Sequence, residues 1–196
     1  MSRYLRVALL FIGLGSLAGM VVLFFLPTRW EVSRRVEIAA PPEAIYPWLA
    51  DLQRWREWSP WQESDYPGLA YEYSGPASGP GAEVSWDSDA TGDGHLRITE
   101  ARPHERVRFE MRFQKGRIRA TDTLTLRGLP GGRTEVAWED RGDLGRTLLG
   151  RLSLPAVERS MGRDLERGLA NLSRVVHGSG TAPARLAPTP SPSPSI

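Results

Sequence analysis

The sequence predicts an α+β domain in which a curved antiparallel sheet packs against one long helix near the C-terminus. Three observations carry that prediction. Apolar and polar residues alternate in several segments between residues 32 and 138, an amphipathic stretch runs from Pro155 to His177, and Gly-rich turns punctuate the strand-like segments. With 196 residues the chain can bury one substantial core and has room for appendages.

Residues 7–26, VALLFIGLGSLAGMVVLFFL, form an uncharged run of 20 residues, long enough to cross a bilayer as a helix. A transmembrane anchor is therefore expected there, with 1–6 as its flank and 27–31 as a juxtamembrane linker. The run exceeds the apolar part of a signal peptide and no A-x-A cleavage site follows it. Arg3 and Arg6 precede the run, and Arg29, Arg34 and Arg35 follow it, so the orientation stays open. Trp30 fits a membrane-interface position, and Gly15 and Gly19 have GxxxG spacing, which is common in such helices without meaning.

Val32, Arg34, Val36 and Ile38 alternate with Ser33, Arg35 and Glu37, predicting a first strand that ends at Pro41-Pro42. From Pro42, Ile45, Trp48, Leu49, Leu52 and Trp55 recur at helical steps. Pro47 is expected to kink or split that helix. In WREWSPW (55–61), Trp55 continues the buried stripe while Ser59-Pro60 stops the helix. Trp58 and Trp61 are therefore expected to clasp the helix exit and not to form an open stacking platform. Val107, Phe109, Met111 and Phe113 alternate with Arg106, Arg108, Glu110 and Arg112. Ile118, Ala120, Leu124 and Leu126 alternate with Arg117, Arg119, Thr121, Thr123 and Thr125, and Val136 and Trp138 continue the apolar face. The pattern is that of an antiparallel sheet with one wet face. Val157, Met161, Leu165, Leu169, Leu172 and Val176 then return to helical spacing. Residues 178–196, rich in Pro and Ser, read as a disordered tail.

Composition excludes several kinds of chemistry. The net charge of +2 gives no basic field for nucleic acid. Cysteine is absent, which removes disulfides, thiolate metal sites and cysteine nucleophiles. His95, His104 and His177 match no metal motif, and no P-loop or GxGxxG occurs, so neither metal nor cofactor is expected. His95 and His104 fall at strand ends, where a solvated ring is the ordinary outcome. Asn171 opens a formal glycosylation sequon, but it lies inside the amphipathic helix and is discounted.

The segments APPEAIYPWLADLQRW, WSPW, GPGAEVSW, GDGHLRITE, RFEMRF, GGRTEVAWE and MGRDLERGLANL, in this order over residues 32–177, resemble the SRPBCC superfamily, also called START-like or Bet v 1-like. Within it they are most similar to the polyketide cyclase/dehydrase-like group. The resemblance implies a helix-grip fold with an apolar cavity between sheet and helix, and a hydrophobic small molecule or lipid as partner. Trp86, Phe109, Met111, Phe113 and Trp138 on the sheet, with Met161, Leu165 and Leu169 on the helix, are then expected either to line that cavity or to fill a core. Asp122 shares inward parity with Ala120 and Leu124, so it should be paired, protonated or facing a wet cavity. It is the one candidate acid, and no catalytic set accompanies it.

The leading expectation is a membrane-anchored domain that binds a hydrophobic ligand, located as a single-pass protein in a bacterial cytoplasmic membrane. A cyclase/dehydratase-like enzyme and a regulatory partner-binding domain with a filled cavity are the alternatives. Membrane side and oligomeric state stay open.

Overall fold

The computed structural model describes Tyr4 and residues 12–16, 25–66, 68–89, 92–145, 147–178 and 185–186. Strand β1 (Arg29–Ile38) leads into helix α1 (Pro42–Ala50), a 3-10 turn (Leu52–Arg54) and a single-turn helix α2 (Trp55–Trp58). Strands β2 (Tyr71–Ser74), β3 (Glu83–Ser88), β4 (Gly92–Arg102), β5 (Arg106–Phe113), β6 (Ile118–Leu129) and β7 (Arg133–Asp143) follow as an antiparallel meander. Helix α3 (Leu148–Val176) lies over β1, β7 and α2, and β8 (Arg185–Leu186) adds a short strand outside β1. The sheet order is β2-β3-β4-β5-β6-β7-β1-β8, so the first strand returns to the end of the meander and the bent sheet holds the long helix. This is a helix-grip fold.

The alternation read from the sequence is the alternation observed. Val107, Phe109 and Met111 are buried, as are Ala120, Leu124, Leu126, Val136 and Trp138, while the intervening residues face solvent or sit half-buried. The convex face is a lattice of Arg and Glu: Glu100 meets Arg102 at 2.7 Å and Arg106 at 2.7 Å, and Arg133 meets Glu37 at 2.8 Å. Exposed pairs of this kind add little stability and mainly keep that face wet.

Two tryptophans lie flat on glycines directly across the ladder. Trp86 pairs with Gly94 and Trp30 with Gly142, and a Cβ on either glycine would fall inside the facing indole ring. Only a residue without a side chain lets the rings sit against the backbone there. A register shift between Ile98 and Glu100 adds a bulge to β4 and helps bend the sheet.

Three sequence expectations shift. First, β1 begins at Arg29, so residues 29–31 belong to the sheet and not to a linker. Trp30 is buried (4 % exposed) with its N–H bonded to Asp140, which removes it from a membrane-interface position. Second, α1 runs through Pro47, whose ring points to solvent, and the break comes at Asp51, whose extended backbone and side-chain bond to the Gln53 N–H start the 3-10 turn. Third, α3 starts seven residues before Pro155, because Thr147 caps it by accepting from the Gly150 N–H at 3.1 Å.

Most of the transmembrane run, including Gly19, and most of the Pro/Ser tail lie outside the described residues. Residues 12–16 are helical and exposed. No helix among the described residues is long and apolar enough to cross a membrane.

Candidate ligand-binding interior

Between the sheet and α3 the side chains form a packed centre and a looser end. At the centre, Trp55, Trp58, Trp138, Phe109, Leu124, Leu169 and Leu172 are fully buried. Trp55 meets Trp58 edge-on at 4.8 Å, Trp138 at 6.0 Å and Phe109 at 5.9 Å, all within the range of favourable aromatic pairs. Trp138 presses on α3 so closely that a Cβ at Gly168 would lie 2.5 Å from its ring. Of the predicted lining residues, Phe109, Met111, Trp138, Leu165 and Leu169 are thus core, whereas Phe113 and Met161 are half-buried and Trp86 lies between the two groups.

The looser end is an aromatic mouth. Trp61 stacks on Trp86 at 6.1 Å, and Phe113 meets Trp61 at 6.4 Å and Trp86 at 6.1 Å. Tyr71 closes the group at 5.8 Å from Trp86 and donates its hydroxyl to the Trp61 carbonyl. Burial pushes the Tyr71 phenol up to about 12, so it stays a donor at any physiological pH. A cleft of about 340 Å³ lined by Ala70, Glu72, Ser85, Trp86, Asp87, Asp93 and Gly94 opens beside this edge.

The WREWSPW segment builds the wall between centre and mouth. Trp58 donates its N–H to the Trp48 carbonyl at 2.9 Å, and Ser59 donates to the Trp61 carbonyl at 3.0 Å. Asn171, far from acting as a glycosylation acceptor, is buried and donates to the Ser59 carbonyl at 3.4 Å, tying α3 to this turn. Trp55 and Trp58 are structural, as expected, and Trp61 belongs to the mouth.

Under this centre sits a feature only half visible in the sequence. Asp122 and Asp140 face each other across β6 and β7 and are 2 % and 3 % exposed. Trp30 donates to Asp140 Oδ2 at 2.9 Å. Burial, reinforced by the charge of Asp140, holds Asp122 well above the ordinary carboxylate range. Burial also raises Asp140, against the opposing hydrogen bonds from Trp30 and Asp122. The two buried carboxyl groups titrate as a coupled pair, and the hydrogen bond between them raises Asp122 and lowers Asp140, which favours the proton on Asp122. The remaining oxygens, Asp122 Oδ1 and Asp140 Oδ1, have no hydrogen-bond partner, and neither do the indole N–H groups of Trp55 and Trp138. Trp138 lies near enough to Asp122 to favour its charged form without closing a well-formed bond.

Sequence parity found Asp122 but missed Asp140, although Asp140 follows Val136 and Trp138 on the same face. It also missed Arg34, which shares parity with Val32 and Val36 and turns inward beneath α3 to meet Glu166 at 2.6 Å. Neither early histidine joins the interior: His95 meets Glu83 at 3.4 Å and His104 meets Glu43 at 3.6 Å, both partly in solvent. Among the described residues no cluster of His, Asp and Glu is arranged to hold a metal.

A family model described as polyketide cyclase / dehydrase and lipid transport matches residues 29–177. The chain belongs to that family. Its matched span starts where β1 starts and ends just past α3, so the family domain coincides with the helix-grip unit. Solved structures agree on the fold. A protein from Chromobacterium violaceum is 20 % identical and covers 78 % of this chain and 99 % of its own, with a TM-score of 0.55. The Zhui aromatase/cyclase from a Streptomyces species is 15 % identical over 76 % of this chain and 94 % of its own, with a TM-score of 0.57. A protein from Helicobacter pylori, 11 % identical, covers 74 % and 86 % with a TM-score of 0.56. At these identities the likeness is one of fold. No curated protein matches the chain in sequence.

Proposed function

We propose that this family member is a membrane-tethered domain that binds a hydrophobic small molecule or lipid through the aromatic mouth. The supporting observation is the half-buried group Trp61, Tyr71 and Phe113 packed around the buried Trp86, an apolar cluster next to a core that holds unpartnered polar atoms. The apolar run 7–26 supports the tether, since it would keep the mouth near the phase in which such ligands concentrate. Native mass spectrometry of the full chain released from detergent micelles tests the reading. The wild type should carry a hydrophobic adduct that Phe113→Glu loses. Bare chain in both samples refutes it and favours a filled core that serves partner binding.

The carboxyl pair favours a second reading, an enzyme of cyclase or dehydratase type. One protonated and one ionised carboxyl can deliver a proton to a leaving hydroxyl and take one back. Undiminished turnover by Asp122→Asn, on a substrate the wild type converts, removes Asp122 from any such mechanism.

A further inference from the structure

The end of the fold where the tether enters carries a surface that neither the core nor the mouth explains. Only Pro27 and Thr28 separate the apolar run from β1. This exit is fixed to the start of α3: the Arg151 guanidinium donates to the Leu26 carbonyl, and the Leu144 N–H donates to the Thr28 carbonyl at 3.0 Å. On the same turns of α3, Leu149 and Leu152 are 78 % and 56 % exposed. From β1 onward, among the described residues, the other large apolar side chain left exposed is Tyr73, which carries a hydroxyl. Two leucines in water on consecutive turns, beside the exit of an apolar run, ask for an apolar cover.

Cations flank them. In the register Arg29 and Arg119 both pair with Asp143, so the start of β6 lies two strand spacings, roughly 10 Å, from the tether exit. The β5–β6 hairpin there presents Lys115, Arg117 and Arg119, all exposed, and no ion pair is formed by any of them among the described residues. Its tip is held in a costly shape. Gln114 and Lys115 have φ values of 51° and 56°, and Asp93 accepts the Lys115 N–H at 2.7 Å. Of the acids at this end, Asp143 is occupied by Arg29 at 3.4 Å and by the Gly145 N–H at 2.8 Å, and Asp93 by the Lys115 N–H at 2.7 Å. Asp87 and Asp89 lie on the β3–β4 hairpin, on the far side of β4 and β5 from these cations.

We infer that Leu149, Leu152, Lys115, Arg117 and Arg119 form a docking face for an anionic phospholipid surface. The face lies at the tether's own end of the domain, so the occupant is the bilayer that the apolar run enters. Phe113, which belongs to the mouth, pairs with Ile118 at the root of the cationic hairpin, so docking sets the ligand entrance toward the lipid. The inference rests on the tether and mouth readings above, and its test keeps them apart.

The chain has no cysteine, so single-cysteine probes report one site each. Full chain bearing Leu149→Cys, or Pro130→Cys at the opposite β6–β7 turn, is labelled with a fluorophore. It is then reconstituted in phosphatidylcholine vesicles with or without phosphatidylglycerol, some lipids carrying a headgroup nitroxide. Quenching is expected at position 149 and not at 130, and should rise with phosphatidylglycerol. Lys115→Glu, Arg117→Glu and Arg119→Glu together should abolish that rise, since each cation near an anionic surface contributes about fivefold in binding. Equal quenching at the two positions overturns the docking face. Release of the chain by alkaline carbonate overturns the tether alone, because quenching measured before the wash still decides the face.

Discussion

Replacing Asp122 with Asn should change how stability depends on pH more than it changes stability itself. In the folded chain Asp122 is held protonated by burial and by Asp140, whereas in the unfolded chain it titrates near the ordinary value of about 3.9. Between those two values the folded state keeps a proton that the unfolded state has lost. Stability is therefore greatest at the acid side and falls as pH rises through the window, by about 1.4 kcal/mol per pH unit for one proton. The amide that Asp122→Asn introduces cannot ionise, yet its nitrogen can donate to Asp140 as the carboxylic acid does, and Trp30 keeps its bond to Asp140 Oδ2. The variant should lose the slope and equal or exceed the wild type above neutrality. Asp140→Ala should instead lose stability at every pH, because it strands the Trp30 N–H in the core, at a cost of about 1–3 kcal/mol. Urea titrations of the full chain in detergent micelles, followed through its seven tryptophans from about pH 5 to about pH 9, measure both effects. Parallel pH profiles for wild type and Asp122→Asn would refute the proton on Asp122.

Gly142→Ala should destabilise by about 1–3 kcal/mol, read as a lower urea midpoint, because its Cβ would enter the Trp30 ring and displace it from Asp140. Trp58→Phe should cost more than Trp55→Phe. The first leaves the Trp48 carbonyl without its donor, a loss of about 1 kcal/mol, while the second removes an N–H that has no partner. Equal losses for the two tryptophans in the same titration would show that ring packing alone governs both sites.

The fold was legible because two periodicities were clean. Inward parity along β5, β6 and β7 survived intact, and even Asp122 betrayed its position by sharing a face with Ala120 and Leu124. What failed was local. Pro155 reads as a helix start and Pro47 as a kink, but a capped first turn at Thr147 and an exposed ring at Pro47 let both helices continue. Trp30 reads as a membrane anchor because the sequence shows its neighbour in the chain and not its partner across the ladder, Gly142. Centre and mouth were inseparable for a similar reason: alternation assigns a face, and only the third dimension separates Phe109, pressed on Trp55, from Phe113, half open beside Trp61.

For the ligand proposed above, that separation decides how deep it can enter. A ligand confined to the mouth displaces little, since Trp61, Tyr71 and Phe113 already face partly outward. A ligand reaching the carboxyl pair must part Trp55, Phe109 and Trp138, and opening about 150 Å³ of packed core costs about 4 kcal/mol. Against that stand the orphaned oxygens of Asp122 and Asp140 and the N–H groups of Trp55 and Trp138, each worth about 1–3 kcal/mol when satisfied. A purely apolar molecule satisfies none of them and stops at the mouth. A molecule with a hydroxyl or amide at one end can meet two or more, which offsets the opening, so polarity at the leading end, not size, should decide how deep a ligand binds.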